Sequence, residues 1–229
     1  MSKNAIKLFY LGLLLISFVS CKDSNGKSIF EPNRIEPPKL EDRERLLNQE
    51  NVGRGPWQQP DLVVNKLGDI NGKLIADIGT GTGYFVPRLA FKNARVIAID
   101  IDTVMLQFVD ALKESFPKQV QNNISTRLAE PDDPKLETEE VDIAMIVNTV
   151  SYIENLEKYL GVLKKGVKKT GSVMIVDYKN KIIPIPAPPL EDRVTIGRLQ
   201  TYLANMGYKN IVVDDTSLKY QYIVTANVN

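Results

Sequence analysis

The 229-residue chain contains no histidine. Imidazole acid–base catalysis and histidine-ligated metal sites are therefore excluded. It has a single cysteine, Cys21, which rules out an internal disulfide, a cysteine zinc site and a Cys–His nucleophile pair. Net charge is nearly absent as well. The 29 Lys and Arg against 28 Asp and Glu leave +1, so a generic nucleic-acid or acidic-membrane binder is not expected. No apolar run reaches the roughly 20 residues that a spanning helix needs, and no repeat of solenoid type is found. What remains is a chain 43% apolar and 25% charged, long enough to bury one full core.

The one pronounced apolar run is "LFYLGLLLISFVS", which follows Lys3 and Lys7. A basic stretch followed by a short apolar stretch is the layout of an export signal. Small Ser20 stands directly before Cys21. This order resembles a bacterial lipoprotein signal, in which cleavage leaves a lipid-modified Cys21 as the new N-terminus. Phe18 departs mildly from the Leu usual three residues before that cysteine. The rival reading is an uncleaved anchor with an incidental cysteine. The lysines should stay on the cytoplasmic side, which sends the domain outside. Lys22 rather than Asp follows the cysteine, and by resemblance to sorting rules this carries no inner-membrane retention signal. The expectation is a lipoprotein of the bacterial envelope, membrane-bound through its N-terminal lipid and destined for the outer membrane. Residues 1–20 are then the signal peptide. Residues 21–39, polar and containing Pro and Gly, form a flexible tether, and 40–229 form the domain.

From residue 40 the pattern alternates. "LEDRERLLNQ" and "PDLVVNKLG" read as short helices, the second closed by Gly68. "KLIADI" (73–78), "ARVIAID" (94–100), "NISTRLA", "VDIAMIV" (141–147), "GSVMIVDY" (171–178), "NIVVDDT" and "YQYIVTA" read as strands. Between them, "YFVPRLAFK" reads as a helix. The stripes Met105, Phe108, Val109, Leu112 and Phe116; Ile153, Leu156, Leu160 and Leu163; and Ile196, Leu199, Leu203 and Met206 fall at helical spacing. The expected fold is α/β, Rossmann-like and doubly wound: a mainly parallel sheet of about seven strands with one antiparallel strand near the C-terminus. A ligand should sit at the carboxyl ends of the strands, near the first crossover.

"ADIGTGTG" lies at that position. Gly79, Gly81 and Gly83 are spaced GxGxG, whereas the dinucleotide fingerprint GxGxxG would place its third glycine at Tyr84. Asp77 at the mouth of the loop would repel a diphosphate and attract an ammonium or sulfonium group. Asp100 ends the second strand about 20 residues on, where a carboxylate can bind a ribose diol. A cofactor with an adenosine, a positive sulfur and an amino-acid tail meets these demands, which points to S-adenosylmethionine (SAM).

These residues resemble motif I of class I SAM-dependent methyltransferases, with "VIAID" as the strand carrying the ribose-binding acid. The resemblance covers most of residues 50–229. "WQQP", "DIGTGTGYFVPRLA", "AIDID", "EPDDPKL", "VDIAMIVNTVSYI" and "YQYIV" occur in the order seen in a small-molecule-type branch. It implies that Asp77 contacts the methionine amino group and Asp100 the ribose. Ile101 would lie beside the adenine, Glu130 and the following "PDD" would flank it, and Asn148 would border the methyl-donor end. It also implies a small-molecule acceptor. Where that branch shows a "YHH"-like stretch, this chain has "TVSYI", so histidine-assisted deprotonation is gone and no catalytic base is assigned. The lack of further cysteines counts against the thiol-dependent arsenite methyltransferases.

Each reading has a structural rival. The glycines can serve a tight strand–helix turn, Asp100 or Asp102 can cap the next helix, and Glu130 can be a solvated loop charge. Trp57 is a core plug or a lid, and Tyr152, Tyr178 and Tyr222 pack or hydrogen-bond. The proline-rich "IIPIPAPP" (182–189) is a pocket wall or a plain connection. Two functional readings follow: a lipid-anchored methyltransferase, or an inactive methyltransferase-like envelope module that binds a ligand or partner. A cytosolic domain behind an uncleaved anchor is a third, opposed by the charges around the apolar run. Composition assigns no oligomeric state.

Overall fold

The computed structural model describes residues 53–229. The signal segment, Cys21, the tether and the helix read in "LEDRERLLNQ" lie outside the described residues. Two short helices open the fold, α1 (Arg54–Gln58) and α2 (Pro60–Asn65). They are joined by Gln59 at a φ of 48°, and Pro60 starts α2 where its missing N–H costs nothing. There follow β1 (Leu74–Ile78), α3 (Val86–Ala90), β2 (Arg95–Asp100), α4 (Thr103–Lys113), α5 (Lys118–Gln121) and β3 (Ile124–Leu128). The second half holds β4 (Val141–Val147), α6 (Leu156–Gly166), β5 (Val167–Tyr178), α7 (Ile196–Asn205), β6 (Lys209–Asp214) and β7 (Gln221–Asn227).

The seven strands form one sheet in the order β3-β2-β1-β4-β5-β7-β6. Pairings from β3 to β5 are parallel, and β7 runs antiparallel to both β5 and β6. One antiparallel strand near the C-terminus is what the terminal pair of apolar runs implies. The strand order reverses between β1 and β4, which opens a crevice at their carboxyl ends.

Both faces of the sheet are covered, and this is why its central strands are apolar without alternation. In β4, Ala144 and Ile146 join one core with Leu160 and Leu163 of α6 and Leu199 and Leu203 of α7. Ile143, Met145 and Val147 face the other core, with Val64 of α2, Leu89 of α3 and Val109 of α4. Each such buried aliphatic contributes about 1.5–3 kcal/mol.

Most boundaries shift by a residue or two, and three differences have a clear physical cause. Helix α4 stops at Lys113, and Phe116 beyond it packs edge-on against Phe91 with ring centroids 5.6 Å apart. Ile153 precedes α6 in extended backbone, because Asn155 caps the helix by accepting from the Lys158 N–H at 3.2 Å. Strand β5 begins at Val167 rather than at Gly171, directly after α6. Val167 pairs with Val141 before the register slips, and Lys168 Nζ reaches Asp142 Oδ1 at 2.8 Å. Asp142 also accepts from the Leu74 N–H at 2.8 Å, so one carboxylate ties the starts of β1 and β5 to β4. Tertiary pairing overrides the loop-like composition of "KKTG".

Candidate active site

A cleft of ≈ 860 Å³ opens at the carboxyl ends of β1, β2, β4 and β5, within the range of small-molecule sites. Asp77, Gly79, Gly81, Asp100, Ile101, Glu130 and Asn148 all line it. Gly83 does not. Its φ is +78° and an added Cβ would meet Val109 Cγ2 at 2.9 Å, so this glycine lets the loop close onto α4 rather than onto a ligand. Cys21 lies outside the described residues.

The loop is fixed by its backbone. The Gly79 and Thr80 N–H groups both donate to the Ile99 carbonyl, at 2.8 and 3.0 Å. Gly79, Gly81 and Gly83 all have positive φ. Beneath them Asp77 is 3% exposed, and its Oδ2 accepts from the Thr80 hydroxyl at 2.8 Å. Burial pushes its carboxyl up to about 6, and the charge of Asp100 adds to the rise. The Thr80 bond and the positive charge of Arg54 act against it. A buried carboxylate held ready at a cleft wall is a receptor for a cation.

Asp100 and Asp102 divide the two roles that the sequence leaves open. Asp102 Oδ1 accepts from the Val104 N–H at 2.9 Å and caps α4. Asp100 accepts from the Gly81 N–H at 2.9 Å and the Asp102 N–H at 3.0 Å, so its carboxylate faces the glycine loop. Ile101 is 59% exposed on the cleft rim, an apolar surface suited to a flat ring. Glu130 sits in a tight turn in which its N–H donates to the Asp133 carbonyl at 2.9 Å, and its carboxylate pairs with Lys135 Nζ at 2.9 Å. Asn148 has a φ of 58°, its N–H donates to the Val176 carbonyl at 2.9 Å, and Gln221 Nε2 donates to its Oδ1.

The other half of the cleft, beside β4 and β5, is lined by Ser151, Tyr152, Tyr178 and residues 186–189. The proline-rich loop therefore forms a wall. Arg193 pins it, donating to the carbonyls of Pro188 at 2.7 Å, Lys179 at 3.1 Å and Lys181 at 2.7 Å. Of the two readings left open for Tyr152, packing does not hold: it is 73% exposed on the rim, where the short turn Val150–Tyr152 carries it out of the core. Tyr222 is core, with its hydroxyl donating to the Val194 carbonyl at 2.9 Å. Trp57 is half-buried, its ring 6.1 Å from that of Tyr178, and it packs behind the cleft.

Two site residues were missed from sequence. Arg54 lines the cleft from α1, and its guanidinium lies 4.3 Å from the Tyr84 ring centroid, with Arg88 at 4.1 Å from the same ring. Asp177 is 1% exposed at the end of β5. Neither carries a sequence signal: Arg54 lies between two glycines, and Asp177 closes an apolar strand.

A doubly wound sheet with a glycine loop and acids at the ends of its first two strands defines a class, the Rossmann-like methyltransferase fold. Residues 76–175 match the family model described as a methyltransferase domain. The chain is 29% identical to phosphoethanolamine N-methyltransferase 1 of Triticum aestivum over 146 residues, 62% of this chain and 27% of that protein. It is 31% identical to the magnesium-protoporphyrin O-methyltransferase of Rhodobacter capsulatus over 77 residues, 34% of this chain and 33% of that one. The chain thus spans about a third or less of the length of these curated relatives. A SAM-dependent methyltransferase from Aquifex aeolicus superposes with a TM-score of 0.73 at 22% identity, covering 81% of this chain and 98% of that one. Together these likenesses show the methyltransferase fold, with the domain match spanning β1 to β5.

Proposed function

We propose that this chain is a lipid-anchored enzyme that transfers the methyl group of SAM to a small-molecule acceptor. The observation that carries the reading is Asp77, a buried carboxylate facing the cleft beneath the glycine loop. Diphosphate cofactors would be repelled there, whereas the amino group of SAM would complete the site. Arg54, which lines the same cleft and whose charge acts on Asp77, would hold the carboxylate of the same amino-acid tail, and Asp100 the ribose hydroxyls. Ile101 and Glu130 would flank the adenine, with Asn148 toward the sulfur.

When bound, SAM supplies an activated methyl on a positive sulfur. The protein's part is to hold donor and acceptor in line and exclude water, worth about 7 kcal/mol or more. A wall of prolines pinned by Arg193 suits that task, since it loses little freedom when a ligand arrives. The small-molecule acceptor is supported by the wheat and Rhodobacter relatives, named for phosphoethanolamine and magnesium-protoporphyrin. Anchoring outside the cytoplasm is supported by the residues before Cys21.

Calorimetry of the full-length chain with SAM and with S-adenosylhomocysteine tests the cofactor reading. Micromolar binding is expected, weakened at least 100-fold in Asp100→Ala because two ribose bonds are lost, each worth about 1.5–3 kcal/mol to a charged acceptor. Binding of NADH in place of SAM would overturn it. For the anchor, cells fed a labelled fatty acid should label the wild-type chain and leave Cys21→Ser unlabelled; label that survives the substitution removes it.

A further inference from the structure

Among the described residues two carboxylates are buried, Asp77 and Asp177. The first faces the glycine loop. The second stands at the end of β5, two strands from β1 and three from Asp100 on β2, which places it about 14 Å across the sheet from the ribose-side acid. It thus lies behind the half of the cleft that the cofactor would leave to the acceptor, with Ser151 between it and the cleft. We propose that Ser151 and Asp177 form a proton relay for an acceptor whose nucleophile is a weakly acidic hydroxyl, with Ser151 touching the acceptor and Asp177 acting through it. This rests on the methyltransferase reading above and adds to it the acceptor class and the destination of the proton.

The geometry has two parts. Ser151 lines the cleft, and its hydroxyl points back to Asp177 Oδ1 at 3.5 Å, a contact that must shorten to conduct a proton. Behind it Asp177 is held rigidly. Its Oδ1 accepts from the Tyr178 N–H at 2.7 Å and its Oδ2 from the Val150 N–H at 3.2 Å. The latter bond also fixes the short turn that presents Ser151. A carboxylate needed only to cap that turn could lie at the surface; this one is 1% exposed and directed toward a cleft-lining hydroxyl.

Burial pushes the Asp177 carboxyl up to about 6, against the three hydrogen bonds and the positive charge of Arg193. That places it near neutrality, where a proton acceptor works best. The groups around it are few. Arg193 faces it from the segment before α7, Tyr222 from β7, Tyr152 from the turn and Tyr178 from its own strand. The phenols of Tyr178 and Tyr222 are shifted upward by burial, and that of rim-exposed Tyr152 upward by partial desolvation and the charges of Asp177 and Asp192, which leaves Asp177 as the group of this cluster that titrates near neutral pH. This supplies a proton acceptor in a chain without histidine.

The step balances. The acceptor oxygen gains a C–O bond as the sulfonium S–C bond breaks, and the electron pair of that bond stays on sulfur. The acceptor proton passes to Ser151 Oγ while the Ser151 proton passes to Asp177 Oδ1. One positive charge on sulfur and one negative charge on Asp177 disappear together, with no further reactant.

The test uses the full-length chain with SAM and a panel of phenols and aliphatic alcohols of graded acidity. With SAM saturating at every pH, so that ionisation of Asp77 does not limit the rate, wild type should methylate weakly acidic members with a kcat that rises with pH through about 6 and then levels. Ser151→Ala leaves both backbone bonds to Asp177 in place. It should bind SAM unchanged by calorimetry, lose about 100-fold in kcat on weakly acidic members, lose the pH limb, and keep its rate on the most acidic phenols. Infrared spectra add a readout independent of turnover: two buried carboxyls, Asp77 and Asp177, give protonated C=O bands titrating near 6, and the component that Asp177→Asn removes should be displaced in Ser151→Ala while the Asp77 component stays. Equal rates for Ser151→Ala and wild type across the panel overturn the relay. So does SAM binding without methylation of any member, or carboxyl bands that neither substitution changes. Failure of wild type to bind SAM would instead remove the parent reading and the relay with it.

Discussion

Replacing Asp77 by Asn should weaken cofactor binding at least 100-fold and at the same time make the protein more stable above pH 7. Both effects have one cause. The Asp77 carboxyl is pushed up to about 6 by burial, from a usual value of 3.8. A raised carboxyl favours the folded state where it keeps its proton. That stability is complete below about pH 4 and is lost as pH rises through about 6. Two pH units correspond to about 3 kcal/mol, so the ionised carboxylate costs the fold on the order of 1–3 kcal/mol at pH 8. Asn at this position stays neutral and can still accept from the Thr80 hydroxyl. Thermal unfolding should therefore show Asp77→Asn higher than wild type by roughly 5 °C at pH 8 and close to it at pH 4. Asp177 titrates in the same window, but it is common to both proteins and cancels in the difference. Binding goes the other way. Losing the partner of a buried ammonium costs about 3–5 kcal/mol, at least 100-fold in affinity for SAM. Wild-type affinity should weaken about tenfold per pH unit below 6, whereas the residual affinity of Asp77→Asn should be flat. A variant that binds SAM as tightly as wild type at pH 8 would refute the assignment of the amino-group site.

The parts of this site legible in the sequence are those that local chemistry dictates. The run "VDIAMIV" is strand β4 to the residue, because seven apolar-rich positions bounded by polar ones have no helical stripe to offer. The glycine loop was legible because three positive-φ positions at a strand end need Gly. Asp100 and Asp102 were legible as a pair, and the structure only had to say which one caps the helix. What stayed hidden depends on contacts between distant segments. Arg54 is 23 residues before Asp77 in a stretch that reads as a turn, and only packing of α1 against Tyr84 brings it to the cleft. Asp177 reads as the polar end of a strand, and its meaning comes from β7 and the Val150–Tyr152 turn closing over it. Lys168 and Lys169 read as loop residues until Val141 recruits their neighbour Val167 into the sheet.

Gly79→Ala should be the most damaging single-methyl change in the cleft, and its cost can be separated into two parts. The first is conformational. Gly79 has a φ of +67°, where an L side chain costs about 1–2 kcal/mol. The second is steric. An added Cβ would stand 2.5 Å from Thr149 Cγ2 and nearer still to its Oγ1. Thr149 is not free to swing away, because its hydroxyl donates to the Val147 carbonyl at 3.0 Å and approaches that of Ile78 at 3.4 Å. Overpacking of this kind costs about 1–3 kcal/mol. The total, about 2–5 kcal/mol, is a large share of the 5–15 kcal/mol that holds an ordinary domain together. Denaturant unfolding should show that loss, and SAM binding should vanish, since the Gly79 and Thr80 amides anchor the loop to the end of β2. The double variant Gly79→Ala, Thr149→Ala removes both offending atoms and leaves the Cβ of residue 149 at 3.0 Å, still tight but free to give by a few tenths of an ångström. It should recover the steric part relative to the two single changes summed, a coupling of about 1–3 kcal/mol, and leave the conformational part unrecovered. A coupling near zero would mean that Thr149 already yields to the added methyl. A neutral Gly79→Ala would mean that the loop is not held as the structure has it, and the placement of Asp77 beneath it would fall with that geometry.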